Sequence, residues 1–187
     1  SIIKLYKRKT IESEIEEIEL IKTTCMLNDV NHFTATVATV VDRNTTIAIK
    51  VKQNDDGSYI IQKFPDYSPI LYCAFPMIGA TEFNFPVIVH SEYFTPNRER
   101  DGIEISEYDK ENRDILIDAK DAFLTLIGVV EEQKWDCSYH LFGLTKVDFA
   151  NDDIQKWYKQ YIFKPIYNKL RGSNIIRTSD EIGDDFN

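Results

Sequence analysis

Residues 33–57 read FTATVATVVDRNTTIAIKVKQNDDG, and this stretch decides the fold. Its first part, residues 33–41, is rich in Thr and Val, with apolar residues alternating on at least one face, as in a strand. Arg43-Asn44 can turn the chain back into residues 46–53, where Ile47, Ile49 and Val51 alternate with Ala48, Lys50 and Lys52. Asn54-Asp55-Asp56-Gly57 is a second turn signal, because Gly, Asn and Asp tolerate positive φ. Strand, turn, strand and turn in immediate succession predict an antiparallel sheet.

Downstream, residues 59–64 return as a third strand, and Pro65 and Pro69 bound the loop that follows. Residues 70–75 form a short, nearly continuous apolar run, suited to a central strand buried on both faces. Residues 86–90 read as another strand, with Pro86 at its first position, where a missing N–H does least harm. Upstream, residues 13–24 fit neither the helical nor the strand period, so residues 1–24 are expected to be a connector or a first strand or helix.

After Gly102 the period changes. Ile115, Ala119, Ala122, Phe123, Leu126 and Val130 follow the spacing of an amphipathic helix of about six turns. A second helix should start near Asn151 or Asp152, either of which can cap it. Its apolar face would be Ile154, Trp157, Tyr158, Tyr161 and Ile162, and Pro165 should kink or divide it. Residues 139–149 between the helices are left as strand or loop. An antiparallel or mixed sheet followed by two long helices is the α+β class, with residues 25–172 as a single domain. Residues 173–187 read as the start of a following element, Asn174 to Thr178, plus an acidic tail. With Ser1 in place of an initiator methionine, both ends are expected to be cuts from a longer protein.

Composition narrows the function classes. The chain has 187 residues, 43% hydrophobic and 12% aromatic, enough apolar surface for a proper core. Lys and Arg number 22 against 31 Asp and Glu, a formal charge of −9. That balance argues against nucleic acid and anionic membrane as partners, since phosphate backbones are held by clustered cations. The longest uncharged stretch, residues 67–81, is broken by Pro69, Pro76 and Gly79 and is too short for a membrane span. The N-terminus meets Lys4, Lys7, Arg8 and Lys9 with no apolar run behind them, which is not a secretory pattern. Three widely spaced cysteines, Cys25, Cys73 and Cys137, fit a reducing, cytoplasmic compartment better than a disulfide framework.

Chemistry-bearing motifs are sparse. The seven glycines are too dispersed for a phosphate-cradling loop. Cys137-x-x-His140 is half of a zinc spacing without its second half, and His90 with Glu92 supplies only two ligands. No serine lies in a Gly-x-Ser-x-Gly elbow. Asp42 or Asp66 with Lys50, Lys52 or Lys63 could in principle serve a metal-dependent hydrolase, but the spacing matches no motif. One stretch stands apart. Phe75-Pro76 closes an apolar run, Phe85-Pro86-Val87-Ile88-Val89 leads to Tyr93-Phe94, and Asn97-Arg98-Glu99-Arg100 precedes Gly102. Two arginines at a loop apex can clamp a phosphate or carboxylate, or can pair with local acids at the surface to little effect.

That stretch resembles a signature of the sacsin-like members of the GHKL (Bergerat-fold) ATPase family, which includes heat-shock-chaperone-type proteins. The resemblance covers residues 70–102 and extends more weakly through the helix to Val130. The family's ATP site uses a metal-chelating Asn on a helix, an Asp-x-Gly-x-Gly motif and a glycine-containing lid, and this chain carries none of them. The resemblance therefore implies the segment after the nucleotide-binding domain, an α+β unit akin to the second domain of GHKL ATPases. It implies no cofactor in this chain itself, Mg-ATP in the parent protein, and the preceding ATPase domain as partner, with protein clients or self-association beyond it. In that family a basic residue reaches back to the γ-phosphate, and the role falls here on Arg98 or Arg100.

Overall fold

The computed structural model describes residues 4–11, 18–27, 31–66, 68–80, 83, 85–106, 110–144, 149 and 151–175. Eight strands come first: β1 (Lys4–Ile11), β2 (Glu19–Leu27), β3 (Asn31–Asp42), β4 (Thr45–Gln53), β5 (Tyr59–Gln62), β6 (Leu71–Tyr72), β7 (Pro76–Met77) and β8 (Ile88–His90). They form one sheet in the order β1-β2-β3-β4-β8-β6-β7, with β5 also paired to β4. Every pairing is antiparallel except β6 with β8, so the sheet is mixed. β2 runs across the division expected between residues 24 and 25, so the stretch set apart as residues 1–24 supplies β1 and most of β2.

The β3–β4 hairpin is the centre. Val40 faces Ile47 and Ala38 faces Ile49 across the ladder, and Arg43 opens the two-residue turn in the left-handed region, at φ 49°. The period of two sorts the side chains. Leu20, Ala38, Val40, Ile47, Ile49, Val51, Ile61, Leu71 and Val89 are buried on one face. Helix α1 (Lys110–Glu132) lies across that face, against β3 and β4. Its expected stripe is buried throughout, with Ala119, Ala122 and Phe123 fully enclosed. Thr45, also buried, donates from Oγ1 to the Ile115 carbonyl at 3.4 Å, which ties the hairpin to the helix.

A 3₁₀ turn at Ser138–Phe142 follows, where a strand or loop was expected. Next comes α2 (Asp152–Tyr158), capped by Asn151, whose Oδ1 accepts from the Asp153 and Ile154 amides. Pro165 does not break the second helix. A π turn at Lys159–Phe163 joins α2 to α3 (Lys164–Gly172), and Pro165 sits in the first turn of α3. The lengthened turn accommodates a residue that cannot donate and would otherwise crowd the carbonyl four residues back. Ile154, Tyr158, Ile162, Ile166 and Leu170 are buried, whereas Tyr161 is 48% exposed and leaves the expected face. The chain then returns to α1: the Asn174 amide donates to Glu131 Oε1 at 2.8 Å, and Ile175 is buried. The rest of the element expected at Asn174 to Thr178 lies outside the described residues.

Two strand expectations need correction. The run 70–75 yields only the two-residue β6, one strand in from the β7 edge. The chain turns straight back through residues 73–75, so that Tyr72 pairs with Pro76, and Ala74 is exposed. Pro86 and Val87 lie in a bend before β8, which starts at Ile88.

Candidate functional site

The arginine turn is built from the inside out. Asn112, fully buried in the first turn of α1, accepts from the Thr95 amide at 2.9 Å and donates to the Thr95 and Glu104 carbonyls at 2.9 and 3.0 Å. Pro96 and Ile103 then bridge as an antiparallel pair. Inside that bridge Asn97 organises the apex. Its amide donates to the Gly102 carbonyl, and its Oδ1 accepts from the Asp101 and Gly102 amides at 3.1 and 3.2 Å. Its Nδ2 donates to Asp101 Oδ1 at 2.9 Å, and Arg100 is held at φ 60°.

The apex also packs on the turn after β7. The Gly79 amide donates to the Asp101 carbonyl at 2.6 Å, and a Cβ on Gly79 would stand 2.5 Å from Asp101 Oδ2, so a larger residue would have to displace the Asp101 side chain. Phe75-Pro76, Gly79 and the arginines thus belong to one surface unit. The two arginines differ within it. The Arg100 guanidinium lies 4.7 Å from the centroid of the Phe75 ring. Arg98 is exposed and has no acidic partner among the described residues.

A second site lies where β4 divides its outer edge. Its residues Thr46–Ala48 pair with β8 and Lys50–Gln53 pair with β5, so the two partner strands separate at Ile49. The fork opens into a cleft of about 220 Å³ between the β5–β6 loop, the bend before β8 and the 3₁₀ turn. The 3₁₀ turn is brought there by the segment after α1: the Ile61 amide donates to the Asp136 carbonyl and the Asp136 amide to the Tyr59 carbonyl, at 3.0 and 2.9 Å. Trp135 packs on Tyr59 behind it.

Ile49, Phe64, Phe85 and Val87 give the cleft apolar walls, and Lys63, Asp66, Ser68 and His140 give it polar ones. Ser68 Oγ and His140 Nδ1 are both buried without a hydrogen-bond partner. Burial, and then the Lys63 charge, hold the His140 pKa below its ordinary value. Ser68 and His140 do not bond to each other, so the hydrogen bond of a nucleophile–base pair is absent between them.

The residues weighed and set aside as metal ligands lie apart. His90 closes β8 while Glu92 lies in the turn beyond it, so the two do not share a strand face. Among the described residues no group of three or more His, Cys, Asp and Glu side chains is placed to hold a metal ion. Asp42 and Asp66 serve different places: Asp66 lines the cleft, and Asp42 lies 3.8 Å from Arg43 Nε at the central hairpin. Arg43 also reaches the buried Asp118 at 2.5 Å and Asp121 at 3.7 Å on α1. Desolvation raises the Asp118 pKa, Arg43 opposes it, and the charges of Asp42, Asp121 and Asp114 add to the rise.

Sequence reasoning singled out the arginine turn because its parts are close along the chain. It missed Asn112, Arg43–Asp118 and the joint position of Ser68 with His140, since each depends on contacts between distant segments. Compared with protein-family models, curated proteins and solved structures, the chain has no match.

Proposed function

We propose that this chain is a non-catalytic accessory module of a larger ATP-dependent, chaperone-like protein, in which Arg98 meets the phosphates of a nucleotide held by a preceding ATPase domain. What supports this is the arginine turn: its backbone is braced by Asn97, Asp101 and Gly79, and Arg98 projects from it without an acidic partner among the described residues. A cation on a prearranged backbone stabilises charge on a transferred phosphoryl group with little reorganisation. Arginine also matches phosphate geometry with two parallel donors. The likeness of residues 70–102 to the sacsin-like GHKL family supplies the identity of the anion. Docking would depend on the γ-phosphate, and hydrolysis would release it.

The test is the steady-state ATPase rate of the parent protein carrying its preceding domain. Arg98→Ala should lower the rate on the order of a hundredfold. Arg100→Ala should do less, because its guanidinium already lies over Phe75. Unchanged rates in both variants, with folding intact, would remove the phosphate-sensing role.

A second function class, a protein-interaction or scaffold module, is favoured by the outer face of the C-terminal helix. Tyr161 and Tyr167 are 48% and 50% exposed, Tyr161 beside the half-buried Trp157 and Tyr167 stacked on Phe163. Sedimentation of the parent protein with Tyr161→Ser and Tyr167→Ser distinguishes it: a lost complex would support the scaffold function.

A further inference from the structure

We propose that the outer face of the C-terminal helix, residues 156–171, docks a short acidic peptide segment of a partner protein, with aromatic side chains spaced between its acids. The proposal rests on the interaction-module reading given above and names the partner it requires. It is independent of the arginine turn.

Charge is unevenly divided along the chain. Residues 154–175 hold Lys156, Lys159, Lys164, Lys169 and Arg171 and no Asp or Glu. The whole chain carries −9, so with these five cations set aside the rest carries −14. Two of the five are engaged: Lys156 lies 3.2 Å from Asp153, and Lys169 lies 3.5 Å from Glu131. Lys159, Lys164 and Arg171 are exposed and have no acidic partner among the described residues. Three unmatched cations on one helix of an otherwise acidic molecule are complementary to an anionic partner.

Apolar surface is interleaved with that charge. Buried positions 154, 158, 162, 166 and 170 recur every four residues, so side chains four apart share a row along the helix. Trp157 and Tyr161 belong to one flanking row, with ring centroids 6.4 Å apart. The other flanking row runs Lys159, Phe163, Tyr167, Arg171, and its two rings stack at 5.9 Å. Lys164 stands in the exposed row between them. Paired rings offer flat apolar faces to a ligand, and Tyr and Trp are enriched where binding energy concentrates. Acids alone would leave those rings unused, which is why the partner carries aromatic side chains as well.

The acidic remainder of the molecule limits the partner's length. Residues 156–171 span about 24 Å of helix, the reach of about seven extended residues. A nucleic-acid strand or an anionic membrane would continue past the helix and meet that remainder, whereas a short peptide segment ends with the cations.

Capped Asp-Glu-Phe-Asp-Glu-Tyr-Asp-Glu is the probe, and the same peptide with Asn and Gln for its acids is the uncharged control. Titrated into the ¹⁵N-labelled chain, the probe should give saturable amide shifts confined to residues 156–172. The expected Kd is on the order of 0.1 mM, weaker than a standard-size interface gives. The control peptide, the Lys159→Gln/Lys164→Gln variant and the Tyr161→Ser/Tyr167→Ser variant should each lower the affinity about tenfold. Lys52→Gln/Lys63→Gln makes the same change of charge away from the helix and should bind as wild type does. All six substituted side chains are exposed, so the variants keep their fold. Absence of saturable shifts at roughly twenty times that Kd, or shifts elsewhere, would overturn the docking face. Equal binding of the control peptide, or equal losses in the two lysine pairs, would overturn the acidic partner. Tighter binding of a single strand of eight thymidines would replace the peptide with nucleic acid. Tighter peptide binding after removal of residues 179–187, which hold Asp180, Glu181, Asp184 and Asp185, would assign the face to the chain's own acidic stretch. Self-association of the chain alone, abolished by Lys159→Gln/Lys164→Gln, would assign it to a second copy. Sedimentation of the parent protein separates this proposal from the reading it rests on. A complex lost with Tyr161→Ser and Tyr167→Ser, when the peptide does not bind, would keep the interaction module and remove only its acidic partner.

Discussion

At the residue scale, Asn112 carries more of the architecture than any residue singled out by motif. It has no exposed surface, and its side chain satisfies three backbone groups of the segment that leads into and out of the arginine turn. Asn112→Ala would leave the Thr95 amide and the Thr95 and Glu104 carbonyls without their buried side-chain partner. The expected cost is about 3 kcal/mol, because removing one member of a buried network exposes the desolvation penalty of the others. Urea unfolding measures it. A loss below about 0.5 kcal/mol, the scale of an ordinary surface substitution, would show that the turn is held by the Asn97 contacts alone. Nothing in the local sequence marks this residue. Asn is a neutral-to-poor helix former, and Asn112 sits inside a stripe whose other buried members are mostly apolar. Only the fold, by bringing Thr95 and Glu104 to the same point, shows why an amide with two donors and an acceptor belongs there.

At the element scale, α1 and the β3–β4 hairpin were legible because a single period runs uninterrupted through each. The second helix was legible at its start, where Asn151 caps it, and misread at its middle. Buried positions 154, 158, 162, 166 and 170 recur every four residues, and an α-helix drifts by about 40° per such step. The π turn offsets that drift: the Lys164 amide donates to the Lys159 carbonyl, five residues back, and the extra residue is absorbed there. This arrangement makes a paired prediction. Deleting the exposed Gln160 should convert the π turn to regular α-helix without rotating α3 away from α1, but it then places Pro165 in an ordinary helix interior. The single deletion should therefore cost about 3 kcal/mol. Combining it with Pro165→Ala should restore most of that loss, as read from thermal or urea midpoints. Two additive losses would mean that the π turn and the proline are unrelated. The short strands β6 and β8 were misjudged for a similar reason: prolines 76 and 86 limit their pairing more than their apolar runs extend it.

At the scale of the whole molecule, the legible part of the candidate site is the part contained in one stretch of chain, residues 75–102. The cleft was not legible, because Ser68 and His140 come to line one cleft only when the segment after α1 adds itself to β5. The same long-range packing contributes to the pH response through half-buried His140 and buried Asp118, with opposite signs. His140 is held below its ordinary value, so the stability tied to its neutral form is fully present above about pH 6.5 and is lost as pH falls through its folded value. Asp118 is raised above 3.8. The stability tied to its protonated form is fully present below that value and is lost as pH rises through its folded value. Two variants separate these contributions. Relative to wild type, His140→Gln should gain in Tm as pH is lowered from 6.5, because Gln has no proton to take up. Asp118→Asn should gain relative to wild type as pH is raised from 4, whatever constant offset follows from loosening Arg43. The pH dependence, not the offset, is the measured quantity, so differences parallel to wild type across both ranges would rule out the two environments described for these side chains. A molecule with a formal charge of −9 also repels itself more as its carboxylates ionise. That background is shared by wild type and His140→Gln and changes by one charge in Asp118→Asn, so it cannot imitate gains that open in opposite directions of pH.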